Sequence, residues 1–165
     1  QVLVSSLAAA ILGASVGFLC WNFNPARIFL GDGGAMLLGL IVATLGIKLR
    51  FPELAPAISW MIPVLVLGVP IFDTTLITIS RGRRGLVPFA SPGKDHTAHR
   101  LATIGLSHRR AVLNLYGVAV GFGLLACVIP YLDASQSFVL AGATTLVALG
   151  AAVALERTPY ERQQR

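Results

Sequence analysis

Polar and apolar positions are segregated into blocks along the chain and do not alternate at the spacing of an amphipathic helix. Five blocks carry almost no charge, at about residues 2–20, 33–49, 54–80, 111–132 and 134–155. Each approaches the ~20 residues with which a helix crosses ~30 Å of hydrocarbon, and a helix is the only single-segment form that satisfies its backbone there. The second block is short, and Lys48 and Arg50 at its end can extend it by reaching toward the headgroups. The third holds Pro56, Pro63 and Pro70, which predict a kinked span. Gly13/Gly17 and Gly117/Gly121 have the spacing of close helix contacts, with lipid-facing glycine as the alternative. The pattern predicts an all-α, polytopic membrane helix bundle of about five transmembrane helices. It reads as one transmembrane domain over residues 1–165, with loops at about 21–32 and 81–110.

Composition strengthens that reading. Hydrophobic residues make up 55% of the chain and charged residues 12%, and the mean hydropathy is +0.76, more apolar surface than a soluble core of this size hides. Cys20 and Cys127 both fall inside predicted spans, so neither a disulfide framework nor a cysteine metal site is expected. No basic stretch precedes the first apolar block, which therefore reads as a span and not as a signal peptide. A chain opening at Gln1 is expected to be a fragment of a longer protein.

Charge then orients the bundle. Eleven of the thirteen basic residues fall on one set of loops, and only Lys48 and Arg50 fall on the other. By the positive-inside bias the first set is cytoplasmic, with the N-terminus outside and the C-terminal tail inside. The net charge of +6 thus reports topology, and nucleic acid is not an expected partner. Asp32, Asp95, His96, His99 and His108 lie on the same predicted side, within reach of both cytosolic substrates and lipid headgroups.

Two stretches carry candidate chemistry. In "GDGG", Asp32 sits among Gly31, Gly33 and Gly34 at the start of the second block. It can cap that helix, or it can ligate a Mg²⁺ that also holds phosphate oxygens. Asn22, ten residues earlier, can line the same pocket or end a helix. In "KDHTAHRLATIGLSHRRAVL", Asp95 is expected to cap a short helix starting at His96, which places His96, His99 and Arg100 on one face. Gly105 is expected to end that helix and Ser107 to cap the next. Two imidazoles and a guanidinium there suit a diphosphate, or else an interfacial helix meeting lipid phosphates. "RGRRG" at residues 81–85 reads mainly as an orientation signal. Asp73, in "PIFDTTL", is an acid on an apolar span; it faces a polar partner or a cavity.

Together "WNFNPARIFLGDGGAMLLGL", "PIFDTTL" and the histidine stretch, in this order over about residues 20–115, resemble the polyprenyl-phosphate N-acetylhexosamine-1-phosphate transferases, the MraY/WecA-type, glycosyltransferase family 4-like membrane enzymes. The resemblance implies transfer of a sugar 1-phosphate, expected to be N-acetylglucosamine 1-phosphate, from a UDP-sugar donor to polyprenyl (undecaprenyl) phosphate. UMP would be released on the cytoplasmic face of the inner membrane, with Mg²⁺ (or Mn²⁺) required. It makes Asp32 the metal ligand, and Asp32, His96, His99 and Arg100 catalytic, with Asn22, Asp73 and Lys94 binding substrate. Ala98 and Ala35 stand where the commoner motifs carry histidine and serine. The family's paired aspartates on earlier spans have no counterpart, so the chain corresponds to roughly the C-terminal half of such an enzyme, its N-terminal half being a missing partner. It is expected to be inactive alone, and a homodimer is compatible with it. "DHTAHRL" is more similar to the branch using simple N-acetylhexosamines than to the muramyl-pentapeptide branch. A transporter or channel module lined by Asp73 is the alternative.

Overall fold

A computed structural model describes residues 2–23, 25–49, 51–87 and 95–158. Every regular element among them is helical, and four helices are long and apolar enough to cross a membrane, or five spans with one bent pair. The protein is a multi-pass membrane helix bundle. Two compact units divide it, residues 1–53 and 54–165.

The first unit is a helical hairpin of α1 (Val2–Asn22) and α2 (Gly31–Lys48). Both are apolar around their circumference, as lipid-embedded helices are, and neither buries a residue within the unit. A Cβ on Gly13 or Gly17 would meet nothing within 4 Å, so these glycines make no close helix contact within the described chain, and the same holds for Gly117 and Gly121 of the second unit. Cys20 and Cys127 are free thiols.

The second unit explains what its prolines do. A proline ring collides with the carbonyl four residues earlier. For Pro63 that residue is Ser59, and for Pro70 it is Val66. Helix α3 (Pro56–Ser59) and helix α4 (Met61–Val66) end at those two residues. Helix α5 (Gly68–Arg83) then leaves at 78° to its predecessors. The expected kink is therefore a break, in the form of either a broken span or a re-entrant loop. Gly68, the first residue of α5, lies under the ring of Phe122, where a Cβ would sit 2.5 Å from Cδ2. Only glycine lets the two helices meet there.

Helix α7 (His108–Val128) packs against α4, α5 and the short α6 (Thr97–Thr103). Ser107 caps α7 by accepting from the Arg110 amide, and Gly105 follows the end of α6 with φ +103°, both as the sequence predicts. After a turn at Ile129–Tyr131, helix α8 (Ala134–Glu156) opens with a capping box. Asp133 Oδ1 accepts from the Gln136 amide at 2.8 Å, and Gln136 Oε1 from the Asp133 amide at 3.2 Å. The last turns of α5 and α8 and all of α6 gather at one end of this unit.

Candidate active site

Seven residues cannot form a stable helix by themselves, so α6 depends on what it docks against. Three polar ties hold it. At its start, Asp95 is 6% exposed and receives Arg81 Nε at 2.8 Å, Arg81 Nη2 at 2.6 Å and Arg84 Nη2 at 2.9 Å. This is a bidentate Arg81 pair reinforced by a second guanidinium. The Arg81 guanidinium above all holds the Asp95 carboxyl far below the usual carboxylate range, against the opposing effect of burial.

The second tie is Arg100, 2% exposed. Its Nη2 donates to Ser80 Oγ at 2.7 Å, its Nη1 to the Leu155 carbonyl at 3.0 Å and to Glu156 Oε2 at 2.9 Å, and its Nε to the Asp95 carbonyl at 2.9 Å. A single side chain thus fastens α6 to α5 and α8. This corrects the expectation that Arg100 faces an anion beside the histidines.

The third tie is Asp73. Its Oδ1 accepts from the Thr97 amide at 2.7 Å and the Thr97 hydroxyl at 2.6 Å, and its Oδ2 pairs with His96 Nδ1 at 2.7 Å. The Thr97 amide is the first orphan donor of α6. Asp73 satisfies it from another helix, and Asp95 is not the cap. With both oxygens engaged inside the protein, Asp73 positions His96 and Thr97, which supply the polar partner on another helix that the sequence offered beside a place among substrate ligands.

The same cap explains why the three predicted site residues separate. His96 has φ −63° and ψ 153°, so it precedes the helix and does not follow its periodicity. Its ring turns to Asp73 and stays 53% exposed, while Arg100, four residues on, turns inward. An ionised carboxylate on Nδ1 requires the proton there, which leaves Nε2 as the outward atom. His99 lies edge-on to His108, ring centroids 6.2 Å apart. Lys94 lies outside the described residues.

In the first unit, Asn22 Nδ2 donates to the Ile28 carbonyl at 2.8 Å, and the Arg27 amide donates to the Trp21 carbonyl at 2.9 Å. Asn22 braces the turn that leads to α2. Gly31 takes φ +68°, a conformation open to glycine, and delivers Asp32 into the first turn of α2. Asp32 is exposed, and its carboxylate makes no hydrogen bond or ion pair with a described residue. Among the described residues no three His, Cys, Asp or Glu side chains gather as a metal cage. Mg²⁺, however, is commonly held by one or two carboxylates plus substrate phosphates, and Asp32 fits as one such ligand.

Sequence reasoning missed Thr97, Ser80, Glu156 and the clamp of Arg81 and Arg84. One signal was available: Asp95 and Glu156 are acids in segments otherwise dominated by arginine, where a buried partner is the natural reason to keep a carboxylate.

The family described as glycosyl transferase family 4 matches residues 1–50. A probable undecaprenyl-phosphate N-acetylglucosaminyl 1-phosphate transferase of Bacillus subtilis is 40% identical over 129 residues, 78% of this chain and 36% of that protein. A decaprenyl-phosphate N-acetylglucosaminephosphotransferase of Mycolicibacterium smegmatis is 36% identical over 87% of this chain and 37% of its own length. A phospho-N-acetylmuramoyl-pentapeptide-transferase of Salinispora arenicola is 31% identical over 73% of this chain and 32% of its own. The chain thus spans about a third of the length of these curated relatives. No solved structure matches it.

Proposed function

We propose for this chain, which belongs to glycosyl transferase family 4, that it forms the cytoplasmic-facing C-terminal part of an inner-membrane enzyme. That enzyme moves N-acetylglucosamine 1-phosphate from a UDP-sugar to a polyprenyl phosphate and initiates cell-envelope polysaccharide synthesis. The observation that carries this reading is 40% identity over 78% of the chain to a relative named as an N-acetylglucosaminyl 1-phosphate transferase. The distribution of basic residues supports the cytoplasmic face.

In the reaction, an oxygen of the lipid phosphate attacks the β-phosphorus of the donor. The new phosphorus–oxygen bond forms as the bond to the bridging oxygen breaks, and the electron pair departs with UMP. Such a transfer needs positioned charge more than covalent help. Asp32 would give one oxygen to Mg²⁺ or Mn²⁺, which when bound neutralises phosphate charge. His96, held through Nδ1 by Asp73, presents Nε2 outward to donate to a phosphate oxygen as charge builds on the leaving group. Arg81, Arg84 and Arg100 keep α6 in place for this and do not meet the diphosphate themselves.

Competing UDP-N-acetylglucosamine against UDP-muramyl-pentapeptide in the full-length protein, with polyprenyl phosphate as acceptor, tests the donor. The expected result is predominantly lipid-linked N-acetylglucosamine. Predominant muramyl product overturns the donor assignment, and absence of any lipid-linked product overturns the transferase reading.

A further inference from the structure

Between α5 and α8 runs an open groove of about 590 Å³. Its floor is apolar: Leu76 and Ile79 from α5 lie opposite Leu149 and Val153 from α8. Leu76 is 3% exposed, whereas Ile79, Leu149 and Val153 are all more than half exposed. The rim at one end is predominantly basic: Arg83, Arg84 and Arg157 line it together with Glu156, and of these Arg84 and Glu156 are engaged inside the bundle, with Asp95 and Arg100. Neither Arg83 nor Arg157 makes a hydrogen bond or ion pair with a described residue. From Leu76 to Arg83, and from Leu149 to Arg157, the helices rise ~10–12 Å, so apolar wall gives way to guanidinium over the depth separating upper acyl chain from headgroup.

The groove borders the ties of α6 through Arg84 and Glu156, but Arg83 and Arg157 take no part in those ties. On α5, Leu76 is three residues from Asp73 and four from Ser80 and so lies beside the face that meets α6, while Ile79 and Arg83 turn ~60–120° away from those two residues. Lipid surrounds the bundle, and basic pockets between membrane helices favour anionic headgroups. We infer that this groove is a binding site for an anionic membrane phospholipid, its phosphate on Arg83 and Arg157 and an acyl chain along the α5–α8 floor. The inference stands apart from the transferase reading, because neither arginine has a part in it.

Full-length protein released from nanodiscs of phosphatidylcholine with phosphatidylglycerol, and examined by native mass spectrometry, tests the site. Wild type should retain phosphatidylglycerol in preference to phosphatidylcholine. The Arg83→Gln/Arg157→Gln protein should hold it roughly 30-fold more weakly, about fivefold for each guanidinium. Leu149→Trp, which fills the floor while keeping both arginines, should also lose it, separating occupancy from general damage. Equal retention of both phospholipids by wild type overturns the inference, as does undiminished phosphatidylglycerol on the double variant. Displacement of phosphatidylglycerol by equimolar polyprenyl phosphate, lost in the same variants, reassigns the groove to the acceptor and equally overturns it.

Discussion

Replacing Asp95 by asparagine removes one charge from a site that holds three charge-assisted bonds. Arg81, at 6% exposure, cannot regain water where it lies, and breaking a buried pair by deleting one partner costs about 3–5 kcal/mol. Arg84 loses less, since it also donates to the Ser80 carbonyl at 3.1 Å and is partly exposed. The cost falls on α6, which has no stability of its own. Opening of α6 should therefore rise by about 10²- to 10³-fold or more in Asp95→Asn, read as amide hydrogen exchange across residues 97–106 of the full-length protein. Exchange within about threefold of wild type would refute the reasoning. The pH dependence has a definite sign. A carboxyl depressed in the folded state stabilises fully above its unfolded value of about 4, and the stabilisation is lost as pH falls toward the folded value. Protection of α6 in wild type should thus be flat from pH 5 to 8 and decline in stronger acid, whereas Asp95→Asn should show a smaller decline, the remainder coming from the Asp73 and Glu156 carboxylates.

Other outcomes follow from single contacts. Gly68→Ala, which drives a methyl into Phe122, should cost about 1–3 kcal/mol in a detergent unfolding measurement; Phe122→Ala in the same chain should recover part of it, and strict additivity would refute the contact. Asp73→Asn puts a donor against His96 Nδ1 and forces the other tautomer. It should lower kcat by about 10²-fold with KM for the donor little changed, whereas Thr97→Val, which removes a hydroxyl from the same carboxylate, should move kcat much less; equal effects would make Asp73 purely structural. Single cysteines at Arg84 and Gln164, in a background lacking Cys20 and Cys127, should resist impermeant thiol reagents in intact cells while one at Ser135 reacts; the reverse pattern overturns the orientation.

Much of the fold was legible because lipid imposes a simple rule. Long apolar blocks must become helices, and α1, α2, α7 and α8 lie within a few residues of the blocks at 2–20, 33–49, 111–132 and 134–155. The prolines at 63 and 70 marked the break in the third block, but its 78° angle depends on how α4 and α5 pack against α7, which no local pattern records. The site was legible in its residue types and not in its pairings. Asp73 and His96 are 23 positions apart, and only the docking of α6 joins them. The face predicted for His96, His99 and Arg100 failed for one local reason: the helix starts one residue later than expected, so His96 never enters its periodicity. Arginines that read as an orientation signal also serve as internal ties, because a guanidinium that marks sidedness in sequence still needs a carboxylate when packing buries it.

The account rests most heavily on His96 acting at the donor diphosphate of a sugar-1-phosphate transferase, and one measurement reaches that directly. Purified full-length protein with UDP-N-acetylglucosamine, polyprenyl phosphate and Mg²⁺ should release UMP in step with lipid-linked product, and His96→Ala should lower both by about 10²-fold or more while the protein stays folded. Wild type that releases no UMP, or a His96→Ala protein that turns over at the wild-type rate, would contradict it.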